Sequence, residues 1–327
     1  MLKYLLIIGT VFSTYIVAVP WKSDGVKHIP TPPTPLKSRL RSSSAPYVST
    51  DSFRAICDHI CDETDAIFIP EQVQYGDTIY IIPYIVKEFF KIAHPKIKHP
   101  YILVTGYGDC PNPSAVLHYL KDDKILAWFG TNCDIESHVS SKFIPIPIGL
   151  ANNYNKFGNT IIMATVQKNS KSIIKKYLLG LNFSINTNVQ TRKKAYNPFK
   201  NKKYCKIFLT DNHIGYTNFQ AYLTDMASCK FIISPHGNGL DCYRTWEALL
   251  VGTIPIVKKS TLDPLYVNLP VIIVNDWSDI TEEFLEQKYK EVDFSKYNLE
   301  KCYFKYWETL IKDTQRQFRT LKPLGLM

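Results

Sequence analysis

Short apolar runs recurring between helix-like segments constrain this chain more than any other feature. From about Asp65, the runs DAIFIP, YILVTG, ILAWFG and FIPIPIGL alternate with the helical candidates VKEFFKIAH and SAVLHYLKD. A second series follows Asn159: YLLGLNFSI, CKIFLT, KFIIS, TIPIV and VIIVND. Its later members are separated by NFQAYLTDMAS, DCYRTWEALLVG and TEEFLEQKYKE. Runs this short and apolar throughout suit strands buried on both faces of a parallel sheet. Strands alternating with helices predict right-handed βαβ units. The expectation is therefore an α/β fold of two Rossmann-like domains facing a central cleft. Their boundaries read as 51–160 for the N-terminal domain and 161–327 for the C-terminal domain. The final helix, NLEKCYFKYWETLIKDTQRQF, carries Tyr303, Tyr306 and Trp307, aromatics suited to packing back across the boundary.

A chain of 327 residues has room for two domains. Its 45% hydrophobic and 13% aromatic content excludes a disordered chain. The net charge of +10 raises the question of nucleic acid. However, the lysines are scattered, and no basic run is interleaved with aromatics, so nucleic acid is not an expected partner. A solvated basic surface or an anionic small substrate accounts for the charge instead.

Lys3 is followed by an uncharged apolar stretch from Tyr4 to Val19. Residues 1–21 read as a signal anchor or signal peptide, and the poor cleavage site in TYIVAVPWK favours the uncleaved anchor. Residues 22–50, rich in Pro and Ser, read as a stem. Anchor, stem and body in that order describe a membrane-tethered lumenal protein, secreted if the segment is cleaved. Eight cysteines are compatible with that compartment. CDHIC lacks the second ligand pair of a structural zinc site. One sequon, Asn182-Phe-Ser184, falls inside a strand-like run.

The densest chemistry lies in SPHGNGLDCYRTWEALLVG, Ser234 to Gly252. Open parallel sheets bind ligands beyond the carboxyl ends of their strands. KFIIS ends at Ser234, so PHGNG is such a loop, with Gly237 and Gly239 expected at positive φ and close to a ligand. Backbone N–H groups there, and the helix behind them, favour a phosphate. The third glycine of the dinucleotide fingerprint is replaced by Cys242, which argues against a Rossmann oxidoreductase. Helical spacing puts Cys242, Trp246 and Leu249 on one packing stripe. Arg244 and Glu247, three apart, lie off that stripe. They form either a surface ion pair or a ligand-facing pair. In the second case Arg244 grips diphosphate oxygens and Glu247 accepts from a ribose's vicinal hydroxyls. Asp241 either caps the helix or joins them.

The stretch SCKFIISPHGNGLDCYRTWEALLVGTIPIV resembles the C-terminal motif of exostosin-like glycosyltransferases, a family of GT-B fold, and KSTLDPLYVNLPVIIVNDW continues the similarity. PYILVTGYGD, ILAWFGTNCD, IPIPIGLANN and NFSINTNVQTR look like upstream parts of related sequences, so that residues 75–315 are covered. The resemblance implies an inverting hexosyl- or pentosyltransferase in the lumen of the endoplasmic reticulum or Golgi. It would use a UDP- or GDP-linked sugar and a glycan, protein or lipid hydroxyl. It carries over Arg244 as the diphosphate contact and Glu247 as the ribose contact. The loop Ser234, His236, Gly237, Asn238 and Gly239 comes to lie by the phosphates, and Arg192 is a second diphosphate candidate. His236 departs from what relatives often have there.

No Asp-x-Asp pair occurs, so no metal cofactor is expected, and the leaving charge falls to arginine and a helix N-terminus. An inverting reaction also needs a general base. In a GT-B cleft it comes from an N-terminal-domain loop, where Asp109 is the first candidate, Asp134 the second and His138 the third. The competing reading is a non-catalytic lumenal relative that keeps the fold and binds a nucleotide or glycan.

Overall fold

The computed structural model describes residues 40–210, 213–214 and 218–321. The expected anchor, residues 1–21, and the stem as far as residue 39 lie outside the described residues. Among the described residues no helix is long and apolar enough to cross a membrane.

The first unit opens with helix α1 (Thr50–Ala55), where the Ser49 hydroxyl accepts the Ser52 N–H. Its sheet comprises β1 (His59–Cys61), β2 (Thr78–Ile81), β3 (Tyr101–Thr105), β4 (Ile125–Gly130) and β5 (Phe143–Pro145). All five are parallel and stand in the order β1-β2-β3-β4-β5. Helix α2 (Val86–Glu88) runs on into a π-helical turn, Phe89–Ala93, between β2 and β3. Adding each strand on the same side of the last puts every right-handed crossover on one face. Phe89 and Phe90 pack there against Tyr101 and Trp128. The opposite face is left for α1 and for chain from the far end of the sequence.

The second unit begins with α3 (Thr160–Ser170) and β6 (Tyr177–Leu181), followed by α4 (Val189–Tyr196) and β7 (Cys205–Ile207). A short antiparallel pair, β8 (Leu209–Thr210) and β9 (His213–Ile214), precedes α5 (Phe219–Ala227) and β10 (Cys229–Ile233). Next come α6 (Tyr243–Leu250), β11 (Ile254–Lys258), β12 (Ile272–Val274) and α7 (Glu282–Glu291). The second sheet is also all parallel, in the order β12-β11-β10-β6-β7. Its strands are buried on both faces: Ile232 and Val257 join the large core shared with the first unit, while Phe231, Ile233, Ile254 and Ile256 form a second core. The α/β fold of two parallel sheets expected from the sequence is therefore present, with a cleft between them.

The last helix, α8 (Phe304–Thr320), buries Phe304, Trp307, Ile311 and Gln315, spaced three and four apart. It packs on β4 and supplies the missing cover of the first sheet. Phe304 meets Phe53 of α1 edge-on, Gln315 bonds Asp58 and the Gly76 carbonyl, and Arg319 bonds Asp77.

Two expectations change. DAIFIP is not a strand: Ile67 is 75% exposed and Ile69 is exposed too, while Phe68 packs on the core. The strands flanking that segment, β1 and β2, come from stretches the apolar-run reading passed over. The stem does not extend to residue 50, because Arg41, Tyr47, Val48 and Ser49 are buried. There the Val48 carbonyl accepts Leu150 N–H at 2.8 Å and the Pro46 carbonyl accepts Phe304 N–H at 2.8 Å. Pro and Ser make that segment look solvated in sequence, but backbone pairing and the Arg41 ion pairs hold it in the body.

Candidate functional site

The chain enters the second sheet at β6, adds β7 on one side, then crosses to β10 on the other. Helices leaving β6 and β10 thus depart in opposite senses, which opens a crevice between their carboxyl ends. Beyond β6 lies Asn182-Phe183-Ser184, and beyond β10 lies Ser234 to Gly239. A cavity of ≈ 340 Å³ opens there. Its second-unit wall includes Arg192, Gly237, Asn238, Gly239, Asp241, Arg244 and Glu247; Asp109, Ile148 and Phe157 face them from the other side.

Two arginines dominate the wall, each only 6% exposed. Arg244 Nε donates to Asn182 Oδ1 at 3.0 Å, and its guanidinium lies 5.5 Å from the Phe183 ring centroid. Its Nη1 is buried without a hydrogen-bond partner among the described residues. Arg192, on α4, donates from Nε to the His236 carbonyl at 3.1 Å and from Nη1 to the Ser184 carbonyl at 2.7 Å. It lies 5.8 Å from the same ring. Neither forms an ion pair with a carboxylate among the described residues. Burial first, and the Arg244 charge second, bring the Arg192 pKa down to about 10. Buried cations lacking counter-ions are costly, and an anionic ligand relieves that cost.

Glu247 is 3% exposed, so it and Arg244 are not the surface ion pair that sequence alone allows. Its Oε2 accepts the Tyr222 hydroxyl of α5 at 2.9 Å. Burial raises its carboxyl from 4.5 to about 7, against smaller lowering effects of Tyr222 and Arg244. The folded chain therefore binds this proton more tightly than the unfolded chain, and stability falls as pH rises from about 4.5 to about 7. That interval corresponds to roughly 3 kcal/mol. Glu247→Gln is expected to gain stability over wild type across this window, read as the difference between unfolding free energies from pH 5 to pH 8. Parallel profiles would show that Glu247 ionises as an ordinary surface carboxylate. Asp241, raised by burial to about 6, keeps a like-signed slope in both proteins.

The glycine loop differs from expectation in its mechanics. Neither Gly237 nor Gly239 has positive φ. What each requires is room. A Cβ on Gly237 would stand 3.0 Å from Arg192 Nη2, and one on Gly239 2.9 Å from Asn132 Oδ1. Cys242 is not on the packing stripe with Trp246 and Leu249; it is the residue preceding α6, lines the cavity, and makes no side-chain cap. Asp241 is not the cap either. Its carboxylate accepts Cys242 N–H and Trp246 Nε1–H and reaches across the units to Ile148 N–H at 2.8 Å. Gly252, at φ 71, ends the helix.

Ser234 is buried, its hydroxyl 2.9 Å from Thr245 Oγ1, where it braces β10 to α6 and does not line the cavity. His236 is also off the lining and contributes its carbonyl to Arg192. Burial, then Lys258 and Arg192, lower its pKa. Asn238 is exposed on the rim. Among the base candidates, Asp109 is exposed and lines the cavity, its N–H donating to the Tyr84 hydroxyl at 3.2 Å. Asp134 accepts from the Ser114 N–H and hydroxyl, His138 is exposed, and neither lines the cavity.

The sequence reading missed Asn182, Tyr222, Thr187 and Asn132. Asn182 is fully buried, which closes its sequon to modification in the folded chain. Tyr222 reads in sequence only as part of an apolar helix face. All eight cysteines are free thiols, and among the described residues no group of three or more His, Cys, Asp or Glu gathers as metal ligands would.

No family model matches the chain, and no curated protein matches it in sequence. Among solved structures, it is similar to the catalytic domain of Starch Synthase IV from Arabidopsis thaliana, solved with ADP and acarbose. The similarity covers 75% of this chain and 73% of that one, at 11% identity and a TM-score of 0.35. The two parallel sheets define the fold independently of that likeness.

Proposed function

We propose that the chain is an inverting, metal-independent glycosyltransferase that uses a nucleoside-diphosphate sugar. The observation that carries this reading is the pair Arg192 and Arg244, buried at the switch point of an open parallel sheet with no carboxylate at salt-bridge distance among the described residues. Two guanidiniums there suit the two phosphates of a diphosphate. Glu247, one helical turn beyond Arg244, suits the ribose hydroxyls. Asp109 stands across the cleft as the base. In the transfer, the acceptor oxygen bonds to the anomeric carbon and its proton passes to the Asp109 carboxylate. The bond from that carbon to the diphosphate oxygen breaks, its electron pair leaves with the nucleoside diphosphate, and the arginines meet that charge. The acceptor is a glycan, protein or lipid hydroxyl. The apolar run Tyr4–Val19 supports tethering of the body in the lumen of the endoplasmic reticulum or Golgi.

The test is thermal unfolding with UDP and with GDP, followed by a screen of nucleotide sugars for transfer or donor hydrolysis. A nucleotide present at a hundred times its Kd stabilises by about 2.7 kcal/mol. No stabilisation by either nucleotide sinks the reading. Stabilisation with neither transfer nor hydrolysis assigns the chain to the non-catalytic alternative.

A further inference from the structure

Asn132 follows β4 in the left-handed region, at φ 53, and is fully buried. Its side chain joins the two walls of the cleft. Nδ2 donates to the Gly108 carbonyl at 2.8 Å, beside Asp109, while Oδ1 accepts the Asp241 N–H of the second unit at 2.9 Å. Gly239 lies so close that a Cβ there would meet the same amide at 2.9 Å. On the second unit, Asn188 Nδ2 bonds the Gly237 carbonyl and Arg192 bonds the His236 carbonyl, so the arginine wall and the glycine loop are one connected body. On the first unit, Gly108 at φ 134 packs under the Tyr84 ring, whose hydroxyl holds the Asp109 N–H. One amide therefore connects the loop that lines the arginines to the loop that carries Asp109. An unpartnered loop carboxylate would have no fixed distance to a ligand held by the other unit.

The geometry points to Asn132 as a positioning residue that couples the glycine loop to the Tyr107–Asp109 loop, so that a ligand gripped by Arg192 and Arg244 also fixes where Asp109 stands. This rests on the nucleotide reading of the cleft for its ligand, but not for its mechanics. The replacement Asn132→Gly tests it, because glycine accepts the left-handed backbone without strain and removes only the amide. The backbone bonds at this position, from Asn112 N–H to the Asn132 carbonyl and onward to Asp134, stay in place.

The measurement is amide hydrogen exchange on the full chain, with and without UDP. Without nucleotide, Asn132→Gly is expected to exchange about tenfold faster than wild type in peptides 106–112 and 237–243, the factor that loss of one net hydrogen bond gives. With UDP, wild type is expected to slow in both peptides, and the variant only in 237–243. Equal protection of 106–112 by UDP in both proteins overturns the coupling, as does unchanged exchange there without nucleotide. Should UDP protect neither peptide in wild type, GDP takes its place; protection by neither fails the nucleotide reading, while the ligand-free comparison still decides the role of Asn132. Asn132→Asp separates the two bonds: it keeps the acceptor for Asp241 and cannot donate to Gly108. Faster exchange in 106–112 alone is the supporting result, and faster exchange spread evenly over β4 and its neighbours would assign Asn132 a merely structural role.

Discussion

Arg244→Ala is expected to weaken UDP binding by about 10- to 150-fold, the range for losing a hydrogen bond to a charged group. The ligand-free stability is expected to change by only about 1 kcal/mol. Two effects oppose each other there. The bond from Nε to Asn182 is lost, and so is the cost of burying a cation whose Nη1 has no partner among the described residues. Its loss also removes the repulsion that helps hold Arg192 down at about 10. A group that costs the empty protein something and gives it back on binding has this signature. Titration calorimetry with UDP and urea unfolding of the same preparations measure both halves. Unchanged affinity in the variant would remove Arg244 from the site, and a large stability loss would make it a structural residue.

The opposite signature is expected of Arg41→Ala: a loss of about 3–5 kcal/mol in unfolding free energy, with UDP affinity of the folded protein unchanged. Arg41 Nε bonds Asp51 at 2.7 Å, and Nη1 reaches Asp62 and Glu63. The side chains of Arg41, Asp51 and Asp62 are wholly buried. Burial works against the Arg41 charge, but Tyr80, Glu63 and Asp51 hold its pKa above the ordinary value. Without Arg41, Arg54, 2.5 Å from Asp62, is the one cation left paired with these three carboxylates among the described residues. The guanidinium of Arg41 also lies 4.3 Å from the centre of the Tyr107 ring. Arg41→Lys is expected to recover only part of the loss, because an ammonium lacks the fork that serves several carboxylates at once. Urea unfolding decides it: a change under about 1 kcal/mol would mean that the pairs are no better than exposed ones.

Where the chemistry depended on local spacing, the sequence was a good guide. Arg244 and Glu247 share a helix face because they are three apart, and that face does meet the cavity. Most of the apolar runs became strands of two parallel sheets, since continuous apolar segments can only be satisfied with cover on both faces. Spacing failed where a property belongs to several segments at once. Gly237 and Gly239 are small because Arg192 and Asn132 press on them, a fact no turn rule contains. Cys242 shares a helical period with Trp246 yet precedes the helix and faces the cavity. Arg192 reads as an arginine after a strand, while in the fold it sits on α4 and is 6% exposed.

By itself the sequence determined the alternation of strand and helix, hence two α/β units, and the facing of one basic and one acidic side chain from a single helix. Only the tertiary structure decided that those side chains are buried, that Arg192 joins them, and that Asp109 stands opposite. The physical reason is distance along the chain. Arg244 meets Asn182 across 62 residues and Asp241 meets Asn132 across 109. Periodicity records which way a residue faces within its own element, but what it faces is set by strand order, and that is fixed only when the two sheets close on each other.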